Sequence, residues 1–388
     1  MSDLIRFITT RKLGFGANRA TKRRVFFNLT LIALVVAILI LAQIFVVSMS
    51  QGIADKWAYL GDGHLQLYLG LDNPLPTDPR IVDIQRVGEV NGLLYSPQDN
   101  KMVRIKGVEK SYFTGVRKEQ VTFTATADIP TTLPTIQVSK TLAQELGIEV
   151  GQRLALMLVS DDAIRPQLCF VDTIYDSGYR ELDETLVFCD ISFLERLFGS
   201  SIGQHHEIIT TAKQMRSLRA DLTSQGYVLS SWEEQNPALS ANLATSREAV
   251  LGVMIAVAIL CGYFISELSS QMVEDDKARI ATLRLMGIRP LVITRSFFLT
   301  VMSITVISLG LGTALGILFA RSLPPILAKV ASRSFVALSF YLLDFPIRIP
   351  TFDILIIVSV LLAASAISVH LSLRRVSSIE PLSCVRFD

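Results

Sequence analysis

Hydrophobic residues gather in four long runs along this chain, with a stretch of alternating polar and apolar positions between the first run and the second. Leu29–Val47, Ala249–Ser266, Phe297–Ala320 and Ile354–Leu373 contain no Lys, Arg, Asp or Glu. A helix needs roughly 20 apolar residues to cross the hydrocarbon core of a bilayer. A charge at the centre of such a helix costs on the order of 3 kcal/mol. One run of this kind fits a buried helix of a large soluble protein, whereas four predict membrane spans. The first run follows a segment rich in Arg and Lys, is longer than the apolar core of a signal peptide, and lacks a small-x-small site after it. It therefore predicts a retained anchor.

Between Gln51 and Glu248 the pattern changes. His64–Leu69 and Met102–Val108 alternate as half-buried strands do, and Arg153–Val159, Leu168–Tyr175, Thr185–Asp190, Glu207–Thr210 and Tyr227–Trp232 complete the strand set. Helices are predicted at Ser139–Leu146, with Ser139 as N-cap and Gly147 as stop, at Ile191–Phe198 and at Ala212–Gln225. Ser160–Gln167 reads as a hairpin turn. The predicted fold class is an integral membrane protein: four transmembrane α-helices carrying one large extracytoplasmic α+β domain of two subdomains.

The cations fix the predicted orientation. Half of the 388 residues are hydrophobic, 19% are charged, and the net charge is only +2, so sidedness matters more than total charge. Arg19, Lys22, Arg23 and Arg24 precede the first run. Lys277, Arg279, Arg284, Arg289 and Arg295 separate the second from the third, and Arg374, Arg375 and Arg386 follow the fourth. By the positive-inside rule both termini are cytoplasmic. The predicted order is cytoplasmic segment 1–26, span 27–50, extracytoplasmic domain 51–248, span 249–271, cytoplasmic helix 272–293, span 294–321, extracytoplasmic loop 322–351, span 352–373 and cytoplasmic tail 374–388.

No candidate catalytic or metal site emerges. His205 and His206 are adjacent, so they do not form a chelating i, i+4 pair and read as solvated or edge positions. Asp161–Asp162 and the Glu181, Asp183, Glu184 run read as turn and surface charges. There is no G-x-S-x-G elbow and no G-x-x-x-x-G-K-[ST] phosphate loop, so any ATP in the process is hydrolysed by another polypeptide. Four cysteines are too few for a disulfide scaffold, and Cys169 and Cys189 fit either a bond or two buried thiols.

Several stretches resemble FtsX/MacB-type ABC transporter permeases, most closely the LolC/LolE lipoprotein-releasing branch. They are Ser48–Ile53, Ser231–Leu239, Met272–Gly287 and Arg375–Leu382, together with Ile136–Val150 and Thr173–Phe188 inside the domain. The resemblance implies a MacB-like periplasmic domain and a permease subunit of the inner membrane that works by mechanotransmission on a lipoprotein or another amphiphile. It implies an ABC ATPase subunit that binds the ATP and magnesium, a second permease subunit, a periplasmic carrier and membrane lipid as partners, with no cofactor in this chain and no nucleic acid. It also leaves two rivals: a MacB/DevC-like efflux permease feeding an outer-membrane duct, and an FtsX-like regulator of a cell-wall hydrolase.

Residue roles follow. Glu274–Gly287 reads as a short amphipathic helix in which Ile280, Leu283 and Gly287 form one apolar stripe, flanked by Lys277 and Arg284. By resemblance this is the helix, Glu274 included, that couples to the ATPase, although Arg279 stands where the family often has an acidic residue. Gly312 and Gly316 form a G-x-x-x-G with Gly310 beside it, a small face suited to packing within the subunit or to dimer contact. Val46, Met49, Ile53, Leu239, Leu243 and Val250, at the outer-leaflet boundary, are the candidate substrate contacts. LolC-like permeases carry a long hook where this chain has only Ser160–Gln167, which implies weak or absent carrier binding.

Overall fold

A computed structural model describes residues 19–69, 74–127, 133–160, 163–199, 202, 205–275, 277–334 and 347–373. In chain order, α1 (Arg19–Lys56) enters a π-helical turn (Trp57–Gly61) and leads to β1 (Leu65–Tyr68), β2 (Asp83–Tyr95) and β3 (Asn100–Val108). A 3-10 turn (Gly115–Gln120) precedes β4 (Thr122–Thr126), β5 (Thr135–Ser139) and α2 (Lys140–Leu146). The hairpin β6 (Arg153–Ser160) and β7 (Ala163–Asp176) is followed by α3 (Arg180–Asp183), β8 (Leu186–Asp190) and α4 (Ile191–Phe198). Then come β9 (His205–Ile209), α5 (Met215–Ser224), β10 (Val228–Ser231) and α6 (Trp232–Gln235). The chain ends in α7 (Pro237–Asp275), α8 (Lys277–Leu285), α9 (Pro290–Ser334) and α10 (Thr351–Leu373).

Two units form. One is built on Met49–Leu243 and includes the end of α9 from Val330; the other takes α1 before Met49, the helices from Ala244 to Lys329, and α10.

The first unit has two parts that share β2. Its first half joins β10, β1 and β9 in an antiparallel sheet. Leu65, Leu67 and Ile208 on one face of that sheet pack against Met215, Leu218 and Leu222 of α5. Strand β2 then continues into a closed ring, β2–β3–β8–β5–β7–β6 and back to β2. The ring is filled by inward residues such as Leu94, Ile105, Val138, Leu156 and Val187, and Leu142 of α2 and Phe193 of α4 pack onto the same core. Each fully buried side chain of this kind contributes about 1.5–3 kcal/mol. Local capping agrees with the sequence. The Ser139 hydroxyl accepts from Leu142 N, and Gly147 ends α2 in the left-handed region, φ 62°.

Several expectations change. Ser160–Gln167 is not an eight-residue turn, because the strands pair as far as Ser160 opposite Ala163 and only 161–162 remain, outside the described residues. Strand β2 flanks the hairpin up to Val159, so the hairpin does not stand clear of the ring as a hook would. His205 and His206 are not at an edge: β9 lies between β1 and β2. Asp183 is not a surface charge. Its side chain turns back to accept from the Ser177 N–H, at 3.3 Å to each oxygen, and the residue is fully buried. The described cysteines, Cys169, Cys189 and Cys261, are free and buried.

In the second unit α1, α7, α9 and α10 are all long and apolar enough to cross a membrane, and the chain is membrane-spanning. The helices outrun the predicted spans. α1 continues to Lys56, α7 starts at Pro237, and α9 continues to Ser334 into the segment read as a loop. At 1.5 Å per residue, α1 is roughly 57 Å long, well beyond the ~30 Å of hydrocarbon. The core of this unit gathers Val36, Ile40, Ile44, Ala258, Ile357 and Leu361. The cationic segments 1–18 and 374–388 lie outside the described residues.

Candidate functional site

The helix after the second span differs most from its sequence reading. In α8, Ile280 is buried against Ile265, Val273, Ile293 and Phe297, and Leu283 packs on the same cluster. The Ile280–Leu283 stripe therefore attaches α8 to its own bundle and is not open to a partner, a correction forced by the apolar face finding cover within the chain. Gly287, placed in that stripe by sequence, adopts φ 85° just after α8, and the N–H of Ile288 reaches back to the Leu283 carbonyl at 3.1 Å. It is a helix stop that needs a left-handed conformation. The apolar side chains facing outward are Leu285 and Met286, 62% and 66% exposed. Glu274 is exposed and Arg284 half-buried, and the Lys277 side chain lies outside the described residues.

The glycine face splits. A Cβ on Gly312 would lie 2.6 Å from the Ala33 carbonyl oxygen, and one on Gly316 would lie 2.9 Å from that of Ala37. These two glycines let α9 approach α1 within the subunit, while a Cβ on Gly310 meets open space.

The boundary residues are mostly committed to packing. Ile53 is buried in a cluster with Leu60, Tyr112, Tyr175 and Phe188, against which Met49, Leu239 and Leu243 also pack. Val250 packs on the membrane core and Val46 is half-buried. As a substrate surface the set is corrected accordingly. Four of the six, Met49, Ile53, Leu239 and Leu243, hold the ends of α1 and α7 in the large domain, and Ile53 is not free to meet a ligand.

Beside this cluster is a group of buried charges with no counterpart in the sequence reading. Lys106 on β3, Glu207 on β9 and Arg117 in the 3-10 turn have side chains with no exposed surface. Lys106 Nζ pairs with Glu207 Oε1 and donates to the carbonyls of Leu60 and Gly61 at 2.8 and 2.7 Å. Arg117 donates to the Tyr59 carbonyl at 3.0 Å and to Glu207 Oε2 at 3.3 Å, and pairs with Asp83. The Tyr112 hydroxyl donates to Glu207 Oε2 at 3.0 Å. Arg104 binds Asp62 at 2.7 Å, and the other Asp62 oxygen accepts from Asn236 Nδ2 at 2.6 Å. Burial alone would lower the Lys106 pKa, but the Glu207 carboxylate, with Tyr112 and Glu89, outweighs it and holds the ammonium above its ordinary value. Burial first, then Glu207, pushes the Tyr112 phenol up to about 12. The signal available to sequence was slight: Lys106 and Glu207 occupy the polar phase of alternating strands and look solvated.

Asp183 gives a pH signature. Burial raises its carboxyl to about 7, against the lowering effect of the Ser177 hydrogen bonds. Between about pH 4 and pH 7 the unfolded chain has lost this proton while the folded chain keeps it, so stability falls as pH rises through that window and levels off above it. The difference is on the order of 4 kcal/mol from about 1.36 kcal/mol per pH unit. Asp183→Asn is expected to remove most of that slope and to be more stable than wild type at pH 8. Thermal unfolding of the detergent-purified chain at pH 5 and pH 8 checks it, and an unchanged slope refutes the assignment.

Comparison with known proteins adds three findings. Residues 251–381 match the family model of the FtsX-like permease C-terminal domain. The lipoprotein-releasing system transmembrane protein LolC of Xylella fastidiosa strain Temecula1 is 25% identical over 271 residues, 65% of this chain and 65% of that protein. LolC of strain 9a5c is 24% identical over the same shares. The match thus spans just under two thirds of these relatives' length. Among solved structures, the extracellular domain of the noncanonical ABC-type transporter YknZ from Gram-positive bacteria aligns at 13% identity and a TM-score of 0.27, over 39% of this chain and 86% of that one.

Proposed function

We propose, from the premise that this chain is an ABC transporter permease of the FtsX/LolC type, that it is the inner-membrane subunit through which a separate ATPase extracts an amphiphile, foremost a lipoprotein, from the outer leaflet. The observation that carries this reading is how four buried hydroxyls of the bundle are spent. The hydroxyls of Thr300, Thr305, Ser308 and Ser365, all buried, donate to the carbonyl four residues back in their own helices. Hydroxyls satisfied this way do not line a hydrophilic path. With no such path among these groups, the work of ATP hydrolysis reaches the substrate as movement of helices whose ends enter the large domain. Both termini and α8 are then cytoplasmic and the domain is periplasmic. A second permease subunit and the ATPase complete the assembly.

The decisive experiment uses the assembly purified from native membranes and reconstituted with a fluorescent triacylated lipoprotein. ATP-dependent release into the aqueous phase is expected. Absence of release, with a cell-wall hydrolase or an outer-membrane duct copurifying instead, overturns the lipoprotein reading.

Docking of the ATPase is assigned to the outward residues Leu285 and Met286 in place of the buried stripe. Met286→Asp is expected to reduce copurified ATPase about tenfold or more while membrane insertion and thermal stability stay at wild-type values, as removal of an apolar anchor does. Leu283→Asp, in contrast, is expected to lower the stability of the chain itself. Loss of the ATPase from Leu283→Asp alone, with full stability, would restore the stripe as the docking face.

A further inference from the structure

The last carbonyls of an α-helix have no partner within the helix and are normally met by water or a glycine cap. At the domain end of α1 three of them are taken by side chains distant in sequence: Tyr59 by Arg117, Leu60 by Lys106, and Gly61 by both Lys106 and Arg104. The Lys106 ammonium donates to two of these carbonyls and is ion-paired with the Glu207 carboxylate. Two of these cations, Lys106 and Arg117, are balanced by Glu207 and Asp83, so the buried group carries little net charge. The chain leaving the turn runs close to the same carboxylate. Gly63 has φ 72°, and a Cβ there would sit 2.9 Å from the Glu207 Cβ. The start of α7 is held in the same domain through Leu239, Leu243 and Asn236. Asn236, with φ −123° and ψ 63°, breaks the chain between α6 and α7 just before Pro237, and its amide donates to Asp62 and to the Trp232 carbonyl.

We propose that Lys106, Arg117 and Glu207 weld the domain end of α1 to the sheet, making the turn at Trp57–Gly61 the fixed point through which displacement of α1 reaches the domain. The proposal deepens the transport reading and rests on it for its functional half. Its physical reason is stiffness. A buried group whose charges are paired and whose cations hold fixed carbonyls has one low-energy arrangement, and removing one member leaves a buried charge or orphaned carbonyls. Helix movement therefore carries the sheet with it.

The test separates the weld from transport. Spin labels are placed at Ser50 on α1 and Met102 on β3 in the full-length chain with its native cysteines replaced, and the distance distribution is measured in wild type and Lys106→Met. The expected result is a narrow wild-type distribution that broadens in the variant. In the reconstituted assembly, lipoprotein released per ATP is expected to fall about fivefold or more while ATP hydrolysis persists, a coupling loss of the size such networks carry. If Lys106→Met does not fold, Lys106→Met combined with Glu207→Gln removes both charges of the pair and is measured instead. An unchanged distribution in a folded variant overturns the weld. A broadened distribution with undiminished release per ATP overturns its role in transmission. Failure of the wild-type assembly to release lipoprotein refutes the transport reading and leaves the distance result standing by itself.

Discussion

Leucine at position 312 is expected to separate α9 from α1 and to lower the stability of the membrane unit by about 3 kcal/mol or more, at the upper end of what overpacking costs. Two of the three nearest atoms belong to groups that cannot yield cheaply. The Cβ would stand 2.6 Å from the backbone oxygen of Ala33 and 2.7 Å from the Val36 Cβ. The helices must move apart, and the contacts of Val36 and Ile40 with the rest of the core weaken together. Gly310→Leu is the matched control, because a Cβ there meets open space. Gly316→Leu should fall between them, with its nearest atom at 2.9 Å. Thermal unfolding of the three variants in detergent, with the yield of membrane-inserted protein, checks the order. Equal behaviour of Gly312→Leu and Gly310→Leu would show that the α1–α9 approach is not tight.

The contrast between these glycines shows where sequence reading stops. The G-x-x-x-G spacing put Gly312 and Gly316 on one face, and they do share a face, but spacing alone could not name α1 as the partner or leave Gly310 aside. The spans were legible because a bilayer imposes length and apolarity on every crossing helix, whatever packs around it. The end of α2 was legible because Ser139 and Gly147 satisfy local hydrogen-bonding rules. Burial of polar positions was not legible. Gln66 and Glu207 occupy the polar phase of β1 and β9, and an antiparallel strand with that pattern ordinarily shows the polar face to water. Both are buried, because α5 covers one face of the sheet while the turn after α1 and the Tyr112–Arg117 segment approach Glu207 from the other. The α8 stripe failed for the complementary reason. Periodicity identified an apolar face correctly but could not tell a partner's groove from the chain's own core.

The same blindness hid the polar group in the membrane unit, and it carries the second large effect. Gln43 interrupts the first apolar run and Asp353 stands one residue before the fourth, so neither drew attention as part of a site. In the structure the Gln43 amide donates to Asp353 Oδ2 at 3.1 Å, and Arg247 Nη2 lies 3.2–3.3 Å from the two carboxylate oxygens. One carboxylate thus ties α1 and α7 to the first turn of α10, where the helix dipole also favours a negative charge. The three partners differ in what they can do when it is lost. Arg247 has a half-exposed side chain and can turn outward, but Gln43 is fully buried, and its Oε1 already has no hydrogen-bond partner among the described residues. Asp353→Leu should therefore leave the Gln43 amide with neither donor nor acceptor satisfied and cost about 3 kcal/mol or more, as breaking a buried pair does. Asp353→Asn should cost less, because its carbonyl can still accept from Gln43. Adding Gln43→Leu to Asp353→Leu should restore part of the loss by removing the orphaned amide, giving a coupling energy of at least about 1 kcal/mol in a double-mutant cycle. Unfolding midpoints of the four variants measure this. An additive cycle would mean that Gln43 finds another partner when Asp353 is gone, and that the carboxylate does not join α1 to α10.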